Sequence, residues 1–211
     1  MDHDARLERL LGPERALWAD GYLRVAGVDE AGVGPLAGPV VVAAAIFPPG
    51  IGLSGVDDSK KLTPARREAL EVRIKETAVA WSVVAVEPEE IDRINIYQAT
   101  LTGMRRAVLG LSLDPDFVLV DARQIPRLET PQDAIIKGDA HCHAIAAASI
   151  LAKSERDRRM FRYDEEFPGY GFARHKGYPT VAHRAAIREL GACEIHRRSF
   201  TLLPAPRLFE P

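Results

Sequence analysis

Two adjacent carboxylates, Asp29 and Glu30, close a short apolar run in Val25-Ala-Gly-Val-Asp-Glu-Ala-Gly-Val-Gly-Pro-Leu-Ala-Gly-Pro39, and glycines follow at 32, 34 and 38. Acids at the end of a strand, beside backbone free of side chains, suit cations that face a phosphate. Glycine lets a polyanion approach the main chain and tolerates positive φ. Two further acids share that placement: Asp121 ends the run Phe117-Val-Leu-Val120, and Asp139 follows Gly138 just before helical sequence. Ligands of α/β sheets collect beyond the carboxyl ends of strands. Acids converging there repel one another unless divalent cations neutralise them. Oxygen-only ligands fit Mg²⁺ or Mn²⁺ rather than zinc. Two such ions ~4 Å apart are the usual arrangement for phosphodiester hydrolysis. A lone Asp after a strand is more often a turn or cap residue, but two acids directly before Gly-x-Gly weaken that reading. His141-Cys142-His143 does not extend the site, because positions i and i+2 of a helix do not share a face.

The elements that must position these acids are legible from pattern. Residues 4–20 read as an amphipathic helix. Tyr22–Asp29 and Val40–Phe47 read as consecutive strands joined by the glycine loop, a hairpin. Thr63 caps a helix with Pro64 at its first position. Ala80–Val86 is a strand, and Pro88 opens helical sequence that breaks near Asn95 and runs to about Leu109. Phe117–Val120 and Ala134–Ile136 are short strands; an Ala-rich helix over 141–155 is followed by charged helical sequence to about Phe167. Pro179–Leu190 is a last helix, stopped by Gly191. Three early strands, a helical pair, two short strands and a helical last third predict a mixed α/β or α+β domain, with a five-stranded mixed sheet flanked by helices.

Bulk properties narrow the options. With 211 residues and 46% hydrophobic content, the chain can build one sizeable core. Net charge is −2, so no global basic character announces nucleic acid. The charge is uneven: residues 151–211 hold 12 Lys/Arg against 8 Asp/Glu, so the last third is basic and the rest acidic. That suits a nuclease, and also an ordinary solvated helical surface. Two cysteines without a CxxC spacing, no apolar leader and apolar runs too short for a bilayer predict a cytoplasmic protein without membrane contact.

Longer motifs go beyond generic chemistry. Gly27-Val-Asp-Glu-Ala-Gly-Val-Gly-Pro-Leu-Ala-Gly-Pro-Val40 closely resembles the signature of bacterial ribonuclease HII, the type 2 ribonuclease H, and so does Asp58-Ser-Lys-Lys-Leu62. Val120-Asp-Ala-Arg123, Lys137-Gly-Asp139, Ala146-Ala-Ala-Ser-Ile-Leu-Ala-Lys153 with Arg156-Asp157, His175-Lys-Gly-Tyr-Pro-Thr180, His183 and His196-Arg-Arg-Ser-Phe200 follow in the family's order. The resemblance implies a ribonuclease H-like fold with a helical C-terminal extension: a lead over 1–21, a catalytic core over 22–165 and a substrate-binding extension over 166–211. It implies endonucleolytic hydrolysis of RNA in RNA·DNA hybrids. It also implies incision 5′ of single ribonucleotides embedded in duplex DNA, leaving 3′-hydroxyl and 5′-phosphate ends. Carried over by position, Asp29, Glu30, Asp121 and Asp139 are catalytic metal ligands. Gly32 and Gly34 frame the loop whose backbone touches the ribose 2′-OH, Tyr178 senses the ribonucleotide junction, and Lys60 and Lys153 contact phosphate. The family usually carries Arg between the two glycines; Val33 stands there in this chain and cannot make a bidentate phosphate contact.

Three other readings are weaker. A dinucleotide-binding loop needs a helix after its glycines, and here Pro39 and a strand follow. A catalytically silent hybrid-binding protein would not need acids at all four positions. Ribonuclease HIII carries an extra N-terminal domain, and only about 20 residues precede the first strand. A monomer is expected. The tail from Leu202, with Leu208 and Phe209, holds no convincing motif for a replication clamp.

Overall fold

A computed structural model describes residues 3–57 and 59–204. Asp58, Leu208 and Phe209 lie outside the described residues. The element order is α1 His3–Leu10, α2 Gly12–Ala19, β1 Val25–Ala31, β2 Val40–Ile46, a 3₁₀ turn Ser59–Lys61, α3 Pro64–Thr77, β3 Ala80–Val86, α4 Pro88–Ile94, α5 Ile96–Leu109, β4 Phe117–Asp121, β5 Gln132–Ile135, α6 Gly138–His141, α7 His143–Glu166, α8 Phe172–His175 and α9 Val181–Leu190. The strands form one mixed sheet in the order β3-β2-β1-β4-β5. β1 and β2 are the expected antiparallel hairpin, β3 continues it, and β4 and β5 run parallel to β1.

Strand alternation divides the core between two faces. Val25, Val41, Ala43, Ala45, Phe117 and Leu119 pack under α3 and α7. Ala26, Val28, Val42, Ala44, Val118 and Val120 pack under α5. The Ala-rich start of α7 is what allows its close approach: a Cβ on Gly27 of β1 would lie 2.1 Å from the Ala144 carbonyl carbon. Small residues on both sides bring the helix backbone onto the strand and carry Ser149 to the strand's end.

Local signals explain the boundaries. The Thr63 hydroxyl accepts the Arg66 amide at 3.4 Å, and Asn95 breaks α4 from α5 while its side chain caps α5 through the Gln98 amide at 3.0 Å. The helix expected over 4–20 is two helices, because Gly12-Pro13 restarts the chain after Leu11. The two helical stretches expected over 141–167 are one, α7, since no breaker separates its apolar and charged halves. Asp139 sits inside the short α6 rather than ahead of a helix. The short α8 had no periodic signal. A smaller core of Leu36, Ala37, Met160, Tyr170, Phe172 and Ile187 joins α8 and α9 to the glycine loop.

Candidate active site

β1 and β4 end side by side. Val28 pairs with Val120 in parallel register, so Asp29 and Asp121 come next on neighbouring strands. Ligand oxygens of Asp29, Glu30 and Asp121 all lie within 4.8 Å of one another. Asp29 is 4% exposed. Its carboxylate takes the Glu30 amide at 2.7 Å and a hydrogen bond from the Ser149 hydroxyl, which also meets Ser59 Oγ at 2.9 Å. Asp121 takes the Gly138 amide at 2.7 Å. Glu30 Oε2 is buried and has no hydrogen-bond partner.

The electrostatics are those of acids with too little counter-charge. Burial, then Glu30, pushes the Asp29 carboxyl well above its ordinary range. Burial, then repulsion from Asp121, raises Glu30 to about 7, against relief from Arg123 and Lys60. Asp121 is raised chiefly by burial, with Asp139 adding to it. Buried acids hold their protons when no cation is near. The orphaned Glu30 oxygen and an all-oxygen donor set fit a hard divalent cation.

Asp139 stands beside this trio rather than within it. It is 8% exposed, and its Oδ2 lies 3.7 Å from Lys60 Nζ. Glu30, the Gly32–Gly34 loop, Lys60, Lys153 and Tyr178 line one cavity of about 230 Å³. Of the sequence-named acids Glu30 lines this cavity, with Asp29 and Asp121 next to it in the cluster and Asp139 beside Lys60. Lys153 Nζ is already 2.7 Å from Asp157 Oδ1, and Asp157 also takes Arg67 Nη2 at 2.9 Å, so two cations share one acid there. The Val33 side chain packs against an apolar cluster with Ile94, Ile96 and Phe200. A larger cavity, about 450 Å³, lies between Arg67, Phe161 and Lys176 and contains none of the four acids.

Two buried arginines that pattern did not single out shape the loop. Arg197 donates to the carbonyls of Gly32 at 2.6 Å, Val33 at 2.9 Å and Gly38 at 2.9 Å. Arg156 donates to Pro39, Ala37 and Lys176 carbonyls at 3.1, 3.2 and 3.0 Å. Gly32 has φ +99°, and a Cβ there would sit 2.1 Å from Arg156 Nε. Glycine at 32 is therefore required by both backbone and neighbour. Arg156 and Arg197 lie inside the quoted motifs, but nothing in their spacing indicates this task. Ser59, Ser149 and Arg123 were likewise part of those motifs without a legible role. His141 is exposed and His143 is buried with Nε2 on the Leu53 amide at 3.0 Å, so the two histidines do not converge.

A mixed sheet whose central strands deliver a carboxylate cluster beside a glycine loop defines a nuclease of the ribonuclease H-like fold, and comparison with known proteins agrees. The family model described as Ribonuclease HII matches residues 26–203. A ribonuclease HII of Myxococcus xanthus (strain DK1622) is 59% identical over 196 residues, covering 92% of this chain and 67% of that protein. The ribonuclease H2 from Pyrococcus horikoshii OT3 superposes with a TM-score of 0.71 at 28% identity, over 85% of this chain and 94% of that one. The structure of the PCNA:RNase HII complex from Archaeoglobus fulgidus gives a TM-score of 0.71 at 28% identity, over 88% of this chain and 98% of the matched one. The chain belongs to the ribonuclease HII family. It is a metal-dependent endoribonuclease that acts on the RNA of RNA·DNA hybrids. Among the described residues, no helix is long and apolar enough to cross a membrane.

Proposed function

We propose that this nuclease also incises 5′ of single ribonucleotides embedded in duplex DNA, leaving 3′-hydroxyl and 5′-phosphate ends. Asp29, Glu30, Asp121 and Asp139 would hold two divalent cations, Mg²⁺ or Mn²⁺. Such ions supply an activated water and charge stabilisation at the leaving oxygen. The carrying observation is the buried, unpartnered Glu30 Oε2, within 4.8 Å of ligand oxygens from Asp29 and Asp121, at the cavity that Tyr178 and the glycine loop also line.

The chain's own residues then divide the work. Arg156 and Arg197 draw the loop carbonyls inward, which frees the loop's outer face for a ribose 2′-OH. Tyr178 is 44% exposed, and its ring edge lies 3.7 Å from where a Cβ on Gly34 would stand. A tyrosine there offers a ring face to a sugar and a hydroxyl to the group that separates RNA from DNA. Lys60 and Lys153 place positive charge along the path of the phosphates. Ser149 keeps the Asp29 carboxylate aimed. Helices α8 and α9 would form the substrate-binding extension behind Tyr178. Two free thiols, Cys142 and Cys193, suit work in the reducing cytoplasm. The chain is read as a monomer, and docking to a replication clamp, as in the Archaeoglobus complex, remains a separate proposal.

The test compares one duplex carrying a lone ribonucleotide with one carrying a long RNA tract, each with Mg²⁺, Mn²⁺ or chelator. Incision 5′ of the lone ribonucleotide, lost on chelation, is the expected result. Cleavage confined to the long tract would refute the embedded-ribonucleotide reading.

A further inference from the structure

Tyr178 lies in the short link between α8 and α9, outside any regular element. Its ring is 44% exposed, with the Arg156 guanidinium 5.9 Å from the ring centroid, so the peptide that carries the ring takes a large part in setting its direction. Its carbonyl accepts two hydrogen bonds, from the Thr180 amide at 2.8 Å and from His183 Nδ1 at 3.0 Å. Behind His183, its Nε2 meets His196 Nε2 at 3.1 Å, and His196 Nδ1 meets the Cys193 amide at 3.0 Å. Both rings are fully buried, at 0% and 1% exposure.

The two ends of this chain fix every proton in it. The Cys193 amide can only donate, so His196 Nδ1 accepts. A neutral imidazole whose Nδ1 accepts carries its proton on Nε2. That proton points at His183 Nε2, which must then accept. The His183 proton is left on Nδ1, facing a carbonyl that can only accept. Two neutral rings admit no other distribution. Protonating His183 would set two N–H groups face to face across 3.1 Å.

We propose that His183 and His196 are positioning residues that hold the Tyr178 peptide, and so the ring, in the orientation that reads the ribonucleotide. The inference rests on the role assigned above to Tyr178. The surroundings favour the neutral rings it requires. His175 stacks on His183 with 4.3 Å between centroids, and Phe172 packs edge-on to His183 at 5.4 Å. The Tyr170 ring lies 5.2 Å from His196 with its hydroxyl committed to the Gly191 carbonyl, and Cys193 Sγ lies 3.1 Å from His196 Nδ1. Burial pushes His183 down to about 4 and lowers His196 as well.

The chain also ties Tyr178 to the glycine loop. The Gly38 amide donates to Ile195, the Arg197 amide to Leu36, and the Leu36 amide to Gly177, each at 2.8 Å. One segment, residues 193–197, thereby holds the loop directly and Tyr178 through two imidazoles. The two surfaces assigned to the ribose are set against each other by this strap, together with the direct Leu36–Gly177 bond and Arg156, which bridges Ala37 and Lys176.

Two measurements test this. Ring ¹⁵N shifts of the wild-type protein at neutral pH should show His183 as the Nδ1–H tautomer and His196 as the Nε2–H tautomer. The reverse tautomer at His183 overturns the proposal without any variant having to fold. The second is a double-mutant cycle on the lone-ribonucleotide duplex. His183→Phe should raise KM about tenfold with kcat changed less than about threefold, as expected for one lost positioning bond. His183→Asn, which keeps a donor near the Nδ1 position, should recover most of that. In a Tyr178→Ala background, His183→Phe should add no more than about twofold, because its target is gone. A full additional loss in that background means that His183 acts elsewhere and sinks the proposal. Wild-type KM in Tyr178→Ala alone would instead remove the role of Tyr178, a failure visible before His183 is changed.

Discussion

The two sides of the cavity solve opposite charge problems in opposite ways. On one side Asp29, Glu30 and Asp121 crowd together with Glu30 Oε2 unpartnered, and their carboxyls are pushed upward. On the other, Arg156 and Arg197 are 1% and 0% exposed and pushed down, to about 10 and about 9, chiefly by burial. Each arginine nevertheless spends its protons on three backbone carbonyls. Arg197 is satisfied from within the chain, and Arg156 is too except at Nη1; the acid cluster keeps a carboxylate oxygen, Glu30 Oε2, with no partner and no full counter-charge. An unsatisfied buried charge marks a place completed from outside, whereas a charge satisfied by backbone marks a brace.

The largest expected effect breaks the acid side. Asp29→Asn should lower Mg²⁺-dependent cleavage by at least ~10³-fold while the fold persists, since it removes a proposed ligand and one repelling charge. Single-turnover cleavage and a metal-free melt check this; substantial cleavage by the variant would sink the ligand assignment.

Breaking the arginine side should act first on stability. Arg197→Met leaves the Gly32, Val33 and Gly38 carbonyls without their donor. The cost is roughly 3–5 kcal/mol, a fall of about 10 °C in melting temperature. An unchanged melt would show that water replaces the guanidinium and that it is no brace.

Acidity sharpens the contrast. The Glu30 carboxyl is raised from 4.5 to about 7 in the folded chain. The folded state therefore binds this proton more tightly than the unfolded state does. The resulting stabilisation is complete below about pH 4.5 and fades as pH rises through about 7. The metal-free protein should lose melting temperature by several degrees across that window, on the order of 1–3 kcal/mol, and saturating Mg²⁺ should restore it at pH 8. A shallower metal-free profile from Glu30→Gln than from wild type would assign its share of the effect to this residue, and equal slopes would refute that share.

Tyr178→Ala should reduce incision at a lone ribonucleotide about ten- to thirtyfold, with Mg²⁺-induced stabilisation unchanged, because the ring positions sugar and not ion. Loss of both together would indicate a packing role. Val33→Arg is the smallest change. The new stem can lie along Ile94, Ile96 and Phe200 and present its charge at the cavity mouth. KM should fall about two- to threefold, with a salt slope steeper by no more than about one. An unchanged salt slope would place residue 33 away from the nucleic acid.

The sequence by itself determined much of this protein. The continuous apolar runs at Val40–Ile46 and Phe117–Val120, the alternation over Ala80–Val86, and the cap at Thr63-Pro64 are local signals, and the elements formed where those signals lay. Asp29, Glu30 and Asp121 were legible because an acid ending an apolar strand contradicts burial unless something claims it. The ordered motifs then pointed to a family, which the comparisons bear out. Tertiary structure alone decided what each remaining residue faces. Nothing local says that Arg197 returns to a loop 164 positions earlier at Val33, that Val33 turns to an apolar cluster, or that His183 and His196 lie in one line of hydrogen-bonding contacts to Tyr178. Those facts depend on which segments the sheet and α7 bring together. Local sequence can state that a side chain needs a partner, but the partner's identity follows from long-range packing, where one glycine at 27 admits α7 and so sets the distances across the site.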